Sequence, residues 1–485
     1  MSIASGRRAG TAWILGLMMC VVAWPANAPA EPAEAADWRG TVEQKVWGLI
    51  ELWGTVKYNF AFFERLPKLD WDAAVRAAIP RVLAAPDQEA YYQRLNELTA
   101  LLHDGHTLVV SPSLRRGAFD GPPLEFEVVE GRIVLVRTGD TDEIRAQGIR
   151  PGMELVAVAG RVPAWQWLRE HALRFYPGST KQNGEAFGMF LFLRGPKDTT
   201  VKLMLEDTAG AKRMVTVTRN SANRDGSVFS PRIRDFSRLV ESRMVDQGIA
   251  YLRLATFDDE KVVEAFDAEF DHLDLDRLKG MILDLRYNIG GDDRFAYPIV
   301  SRLVDHSVAG IAWRTPTYHP AYASWGKAET PLQGDAVRIE PDARKRYVGP
   351  LVVLTGPNTM STSEDFIVPL DFAGRVLTIG EPTAGTTGNP VNVPLPGGAI
   401  LRVCSLWCTY PDGREFVGRG IEPRVVVHPT VAGIRASRDE VLEKAVEALA
   451  HWGRYQAMTA YGAGSPPEPT PGGHGGGAVR KIVRK

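Results

Sequence analysis

The sequence predicts a mixed α/β protein of several domains. Three observations carry that expectation. The N-terminal part has apolar residues at helical spacing, the middle consists of short β segments, and the C-terminal half alternates apolar runs of strand length with helical patterns. A chain of 485 residues is long enough for about two to four domains. Apolar residues make up 45% and charged residues 24%, which supplies ordinary cores and excludes fibrous and disordered classes. Lys and Arg total 57 against 58 Asp and Glu, so no broad basic field exists to grip nucleic acid. Three cysteines are too few for a disulfide scaffold, a zinc ribbon or an iron–sulfur cluster. No metal or cofactor is expected.

Residues 1–30 read as an export signal. Arg7 and Arg8 precede the apolar run Ala12 to Trp24, which is short for a bilayer span and is followed by Ala28-Pro29-Ala30 and Ala33-Glu34-Ala35. The other reading is an uncleaved anchor. The signal implies a mature chain in the periplasm or outside the cell, without a stable membrane span. Its only cysteines would be Cys404 and Cys408. Placed in one strand they would stand about 13 Å apart, too far for a disulfide.

Residues 37–118 form the helical region. Val46, Leu49, Ile50, Leu52 and Trp53 recur at helix spacing, a second run covers Ala73 to Leu83, and a third covers Asp87 to Leu102. Its aromatics (Trp47, Trp53, Tyr58, Phe60, Phe62, Phe63) read as core. The helices stop at His103-Asp104-Gly105-His106-Thr107, before a short strand at Leu108 to Val110.

Residues 122–220 form a β-rich module, with a hairpin about Glu130-Gly131 and strands near Val201 to Leu205 and Met214 to Thr218. Its Gly148-Ile149-Arg150-Pro151-Gly152 followed by Leu155, Val158 and Gly160 resembles the PDZ domain. That resemblance implies peptide binding by strand addition; a purely structural module is the alternative. Residues 230–452 form an α/β core on the runs Ile249 to Leu254, Gly280 to Leu285 and Leu351 to Leu354. The Gly- and Pro-rich tail, 460–485, reads as disordered.

Two segments of the core place a turn directly after a buried strand, where α/β sheets hold their chemistry. One is Asp284-Leu285-Arg286-Tyr287-Asn288-Ile289-Gly290-Gly291; the other runs from Leu354 through Ser361-Thr362-Ser363-Glu364. A hydroxyl at Ser361, at the start of a helix, stands where backbone N–H groups face a developing oxyanion. The same residues also spell a capping box, Ser361 with Glu364.

These motifs occur in order with Gly380-Glu381-Pro382-Thr383-x-Gly385, Pro411-Asp412-Gly413-Arg414 and Gly420-Ile421-Glu422-Pro423. Together they resemble the C-terminal-processing (tail-specific) serine peptidase family. The resemblance implies an α/β core of the ClpP/crotonase-like type, protein or peptide substrates, Ser361 as nucleophile, and an oxyanion hole from the N–H groups of Thr362 and of Gly290 or Gly291. One departure stands out. The family's general-base lysine follows the last Gly of the Gly-Glu-x-Thr-x-Gly motif, and here that residue is Thr386; no lysine occurs between Ser361 and Lys444. A neutral threonine cannot take the serine proton. Imidazole can. His106 in Asp104-Gly105-His106-Thr107 is similar to the His-dependent branch of the same clan, which resembles the tricorn protease core, and is the expected base. A cap at the helix end is its bland reading. His428 is the second candidate base, and His103 reads as a surface residue. Glu415 is the expected orienting acid, with Asp104 and Glu381 as alternatives.

Two functions follow from these residues. The first is an exported serine endopeptidase; the absence of a Gly-x-Ser-x-Gly elbow tells against an ordinary α/β-hydrolase. The second is an inactive relative that binds peptide or lipid through the module and cleft.

Overall fold

The apolar runs of the C-terminal half become the interior strands of one sheet. A strand flanked on both sides in a sheet covered on both faces has no polar face to show, so its sequence is continuously apolar. The computed structural model describes residues 38–115, 118–222, 238–246, 248–327 and 330–460. The expected export signal and, after residue 460, the expected tail lie outside the described residues. The core sheet runs in the order Val240–Asp246, Ile249–Leu254, Gly280–Asp284, Leu351–Thr355, Leu377–Gly380, Val425–Val426. Its first pair is antiparallel and the others are parallel.

Helices Lys261–Asp271, Asp293–Ser301 and Thr362–Phe372 connect successive parallel strands and cover one face with Val262, Phe266, Ile299 and Phe366. The other face carries Tyr251, Ile282, Val352, Leu354 and Ile379, packed on Val441, Ala445, Ala448 and Leu449 of helix Glu440–Ala450. Alternation along each strand thus sends successive side chains into two cores. The connections after Gly280–Asp284 and Leu351–Thr355 leave from one end of the sheet. That end holds the chemistry.

The N-terminal helices are Val42–Asn59, Trp71–Leu83 and Gln88–Thr99, capped by Thr41, Asp70 and Asp87. Leu49, Leu52 and Val56 are buried, but Trp47 is 55% exposed and Val46 and Ile50 are exposed too. The expected core role of Trp47 is therefore corrected. The first helix is buried along one stripe only, where Gly48 lies against Tyr91. Strand Leu108–Val110 leaves this region and pairs antiparallel with Ala399–Val403, Val109 facing Leu401. Cys404 follows that strand and Cys408 sits in the next, Trp407–Thr409. They do not share a strand, and both are buried free thiols.

The β-rich module is a six-stranded antiparallel sheet. Between Val162–Pro163 and Thr200–Glu206 the chain leaves it as helices Ala164–Leu168 and Lys181–Leu191. This helical excursion was not expected among β segments, and it reaches the core. Thr180 Oγ1 donates to Ala384 O at 2.8 Å, and Gln182 Nε2 donates to Thr383 O at 3.1 Å.

Candidate active site

Ser361 stands between strand Leu351–Thr355 and helix Thr362–Phe372 as the helix N-cap, with φ 59° and ψ −129°. That backbone geometry is costly for a residue with a Cβ, by about 1–3 kcal/mol. It persists because its surroundings fix it. Ser361 N–H donates to Thr386 O at 2.9 Å, Glu364 N–H donates back to Ser361 O, and Thr359 Oγ1 ties the preceding turn to Leu285 O at 2.8 Å.

His106 lies in the loop between the helical region and strand Leu108–Val110. The Asp104 carboxylate accepts from Thr107 Oγ1 at 2.6 Å and from Ser179 Oγ at 3.2 Å, while Gly105 N–H donates to Ser179 Oγ at 2.9 Å. Thr107 Oγ1 also accepts from Cys404 N–H at 3.0 Å. Held this way, the His106 ring bridges two residues of the core. Its Nε2 is 3.1 Å from Ser361 Oγ, and its Nδ1 is 2.8 Å from Thr386 Oγ1. The ring is 2% exposed. Burial, helped by the positive charge of Arg402, pushes its pKa down to about 3, so the resting imidazole is neutral.

Thr386 therefore takes the place expected for Glu415. The Glu415 carboxylate instead pairs with Arg65 at 3.2 Å, Asp104 is engaged within its own loop, and Glu381 pairs with His428 Nδ1 at 2.8 Å. His428 and His103 are exposed, and neither is brought to Ser361. Behind Thr386 sits Glu364, fully buried. Its carboxyl accepts from the N–H groups of Gly385 at 2.8 Å, Thr386 at 2.9 Å and Ser361 at 3.3 Å, and from Thr383 Oγ1. Burial outweighs these bonds and raises its pKa to about 7. In the sequence Glu364 reads as a capping-box partner and as the last residue of the motif that opens at Ser361.

The turn Asn288 to Gly291 lies directly against Ser361. A Cβ on Gly290 (φ 98°) would stand 2.7 Å from Ser361 Cβ and 2.9 Å from Thr362 N, so this approach requires glycine. Gly290 N–H donates to Asn288 Oδ1 at 3.0 Å, which commits it and corrects its expected role as an oxyanion donor. Gly291 N–H takes no part in the adjoining ladder, which runs from Phe257 N–H to Gly290 O and from Asp292 N–H to Phe257 O. Thr362 is the first helical residue, and its N–H has no partner within the helix.

At the base of the same turn Arg286 forms an ion-paired network. It reaches Asp284 at 2.6 Å and Asp439 at 2.7 Å, and Tyr251 Oη donates to Asp284 at 2.7 Å. Burial pushes the Asp284 carboxyl up, but the Arg286 guanidinium overrides it and holds the pKa below the usual range.

With this geometry in view, residues 248–427 match the profile of Peptidase family S41. The likeness to known proteins extends beyond this segment. The chain is 20% identical over 372 residues to the carboxy-terminal processing protease CtpB of Bacillus subtilis (strain 168), covering 76% of this chain and 66% of that one. It is 26% identical over 223 residues to a carboxy-terminal-processing protease of Bartonella bacilliformis, covering 44% of this chain and 46% of the relative. The chain thus spans less than two thirds of each curated relative. Mature CPAF, solved in complex with lactacystin, has the same fold over 86% of this chain and 99% of its own, with TM-score 0.62 and 16% identity.

Proposed function

We propose that this protein is a serine endopeptidase in which Ser361 is the nucleophile and His106 the general base. The observation that carries the reading is the 3.1 Å approach of His106 Nε2 to Ser361 Oγ, across 255 residues of sequence. A serine hydroxyl at neutral pH attacks only when a base takes its proton as the bond forms. His106 is neutral, so Nε2 accepts from Ser361 Oγ while Nδ1–H donates to Thr386 Oγ1, which selects that tautomer. Ser361 Oγ then attacks the peptide carbonyl, and the carbonyl oxygen becomes an oxyanion facing the N–H groups of Gly291 and Thr362. The proton held on Nε2 passes to the leaving amine, and the amide bond breaks. Water, deprotonated in turn by His106, cleaves the acyl-enzyme.

Thr386, standing where the related peptidases carry lysine, is a positioning residue here. Glu364 fixes its backbone. The missing lysine was the main support for a binding-only relative, and an imidazole at Ser361 removes that support. Export of the chain and processing of protein substrates belong to the same proposal, on the N-terminal signal and the family. Among the described residues no helix is long and apolar enough to cross a membrane. A fluorophosphonate serine probe tests the reading: peptide mapping is expected to place the label on Ser361. A folded protein that takes no label there overturns it.

A further inference from the structure

His106 follows a glycine, the residue type with the widest backbone freedom, so the direction of its imidazole depends on what holds the loop. Glycine is required at 105 because a Cβ there would stand 2.6 Å from Asn183 Oδ1 and 3.1 Å from Thr386 Oγ1. The hold comes from outside, from Ser179 in the turn before helix Lys181–Leu191. Its Oγ accepts from Gly105 N–H at 2.9 Å and donates to Asp104 Oδ1 at 3.2 Å, so one hydroxyl joins the two residues ahead of His106. The turn is itself tied down. Ser179 N–H donates to Asn183 Oδ1 at 3.1 Å, and Asn183 N–H donates to Thr180 Oγ1 at 3.1 Å. Thr180 Oγ1 donates onward to the carbonyl of Ala384 at 2.8 Å, in the loop that carries Thr386. One turn of the β-rich module thus grips both the loop of the imidazole and the loop of its Nδ1 partner.

Resting on the peptidase reading, we propose that Ser179 is a positioning residue for the reaction, its hydroxyl setting the backbone at Gly105 so that His106 Nε2 meets Ser361 Oγ. Without that hydroxyl, Gly105 N–H and Asp104 Oδ1 lose the partner they share, and the glycine is released to conformations that swing the ring away from the nucleophile. A misplacement of about 1 Å costs on the order of 10²-fold in turnover. Ser179 acts through the base, so its loss lowers kcat and leaves KM in place.

The test uses the full chain and one internally quenched peptide. Ser179→Ala is expected to lower kcat by about 10–100-fold with KM within about twofold of wild type, and Ser179→Thr, which keeps the hydroxyl, to recover most of the loss. Gln182→Leu removes the bonds from the same helical excursion to Thr383 O and Arg419 O without touching the loop of His106, and is expected to hold kcat within about twofold. A second readout is the ratio of Ser179→Ala kcat to wild-type kcat across pH. Asp104, Tyr176 and Arg402 line the same space as His106, and Glu364 lies behind Thr386; both proteins carry these groups, which therefore cancel in the ratio. An imidazole released toward water returns toward its ordinary value of about 6.5, so the ratio is expected to fall by a further factor of about ten from about pH 7.5 to about pH 5. Wild-type kcat in Ser179→Ala, an equal loss in Gln182→Leu, no recovery in Ser179→Thr, or a ratio flat with pH overturns the proposal. Labelling of wild-type Ser361 by the fluorophosphonate probe leaves the peptidase reading standing in each of those cases, and failure of that labelling removes both.

Discussion

Two polar networks sit a few residues apart at the same end of the core sheet, and they are built on opposite principles. Around Arg286, charge is saturated: a guanidinium lies between the carboxylates of Asp284 and Asp439, with Tyr251 completing the set. Around Ser361 the side chains bonded to the reacting hydroxyl carry no charge, since His106 is neutral and its partners are two hydroxyls. A buried ion network is held by its own Coulomb energy and fails when one member is removed. A neutral chain holds little energy, yet it lets a proton move. The first network is suited to fixing the turn that carries Gly290 and Gly291, and the second to reacting.

If that division holds, His106→Ala should give the largest effect, lowering kcat/KM for a peptide substrate by on the order of 10³-fold or more. Its denaturation midpoint should barely move. An unchanged turnover would transfer the base role to another residue and erase the contrast.

Arg286→Met should do the reverse. Leaving the buried Asp284 carboxylate without its guanidinium costs about 3–5 kcal/mol, read as a lowered urea midpoint of the core. Any molecules still folded should keep a reactive Ser361. A variant of normal stability would show that the network contributes nothing to the turn.

Thr386→Val keeps the shape of the side chain and removes the acceptor at His106 Nδ1. With a neutral partner lost rather than a carboxylate, a drop of about 10–100-fold in kcat is expected, smaller than for a missing base. A drop as deep as that of His106→Ala would mean that Thr386 does more than orient.

The smallest effect, and the sharpest, is in the pH profile. An ordinary imidazole base would give a limb near 6–7. His106, at about 3, is already deprotonated there and gives none between pH 5 and 9. Glu364, raised to about 7, ionises in that range instead, and its new negative charge behind Thr386 favours the imidazolium formed during attack. The rate should therefore rise through about pH 7, and Glu364→Gln should abolish the rise. For stability the signs are opposite. The depressed His106 contributes a loss as pH falls below its unfolded value of about 6.5. The raised Glu364 contributes stability that is present below about 4.5 and lost as pH rises through about 7.

The two networks also differ in how well the sequence displayed them. Asp284-Leu285-Arg286 is local, and its apolar strand marks it as the mouth of a sheet. Position alone lets Ser361 and His106 read as helix caps, and the ordered motifs with the missing lysine single them out. Thr386 was legible only as a departure, because its partner lies 280 residues away, and local sequence says nothing about which side chain fills a gap at that range. Glu415 illustrates the same limit, placed near the site in sequence order but turned to Arg65. The helical excursion was missed for a different reason. Helix Lys181–Leu191 contains Gly184 and Gly188, which weaken a helical signal. Gly184 is needed because a Cβ there would stand 2.1 Å from Pro177 O.

Strand Leu108–Val110, sewn to Ala399–Val403, has a practical consequence for anyone wishing to trim this protein. The region that matches the family model, 248–427, holds Ser361, Gly291, Thr362 and Thr386, but not His106. His106 arrives on a loop whose fixings come from the module, through Ser179, and from the core, through Cys404. The candidate site is thus not a portable cassette. A fragment cut at the start of the core sheet would leave Ser361 without its imidazole neighbour, and a piece that keeps the pair has to include His106 and strand Leu108–Val110.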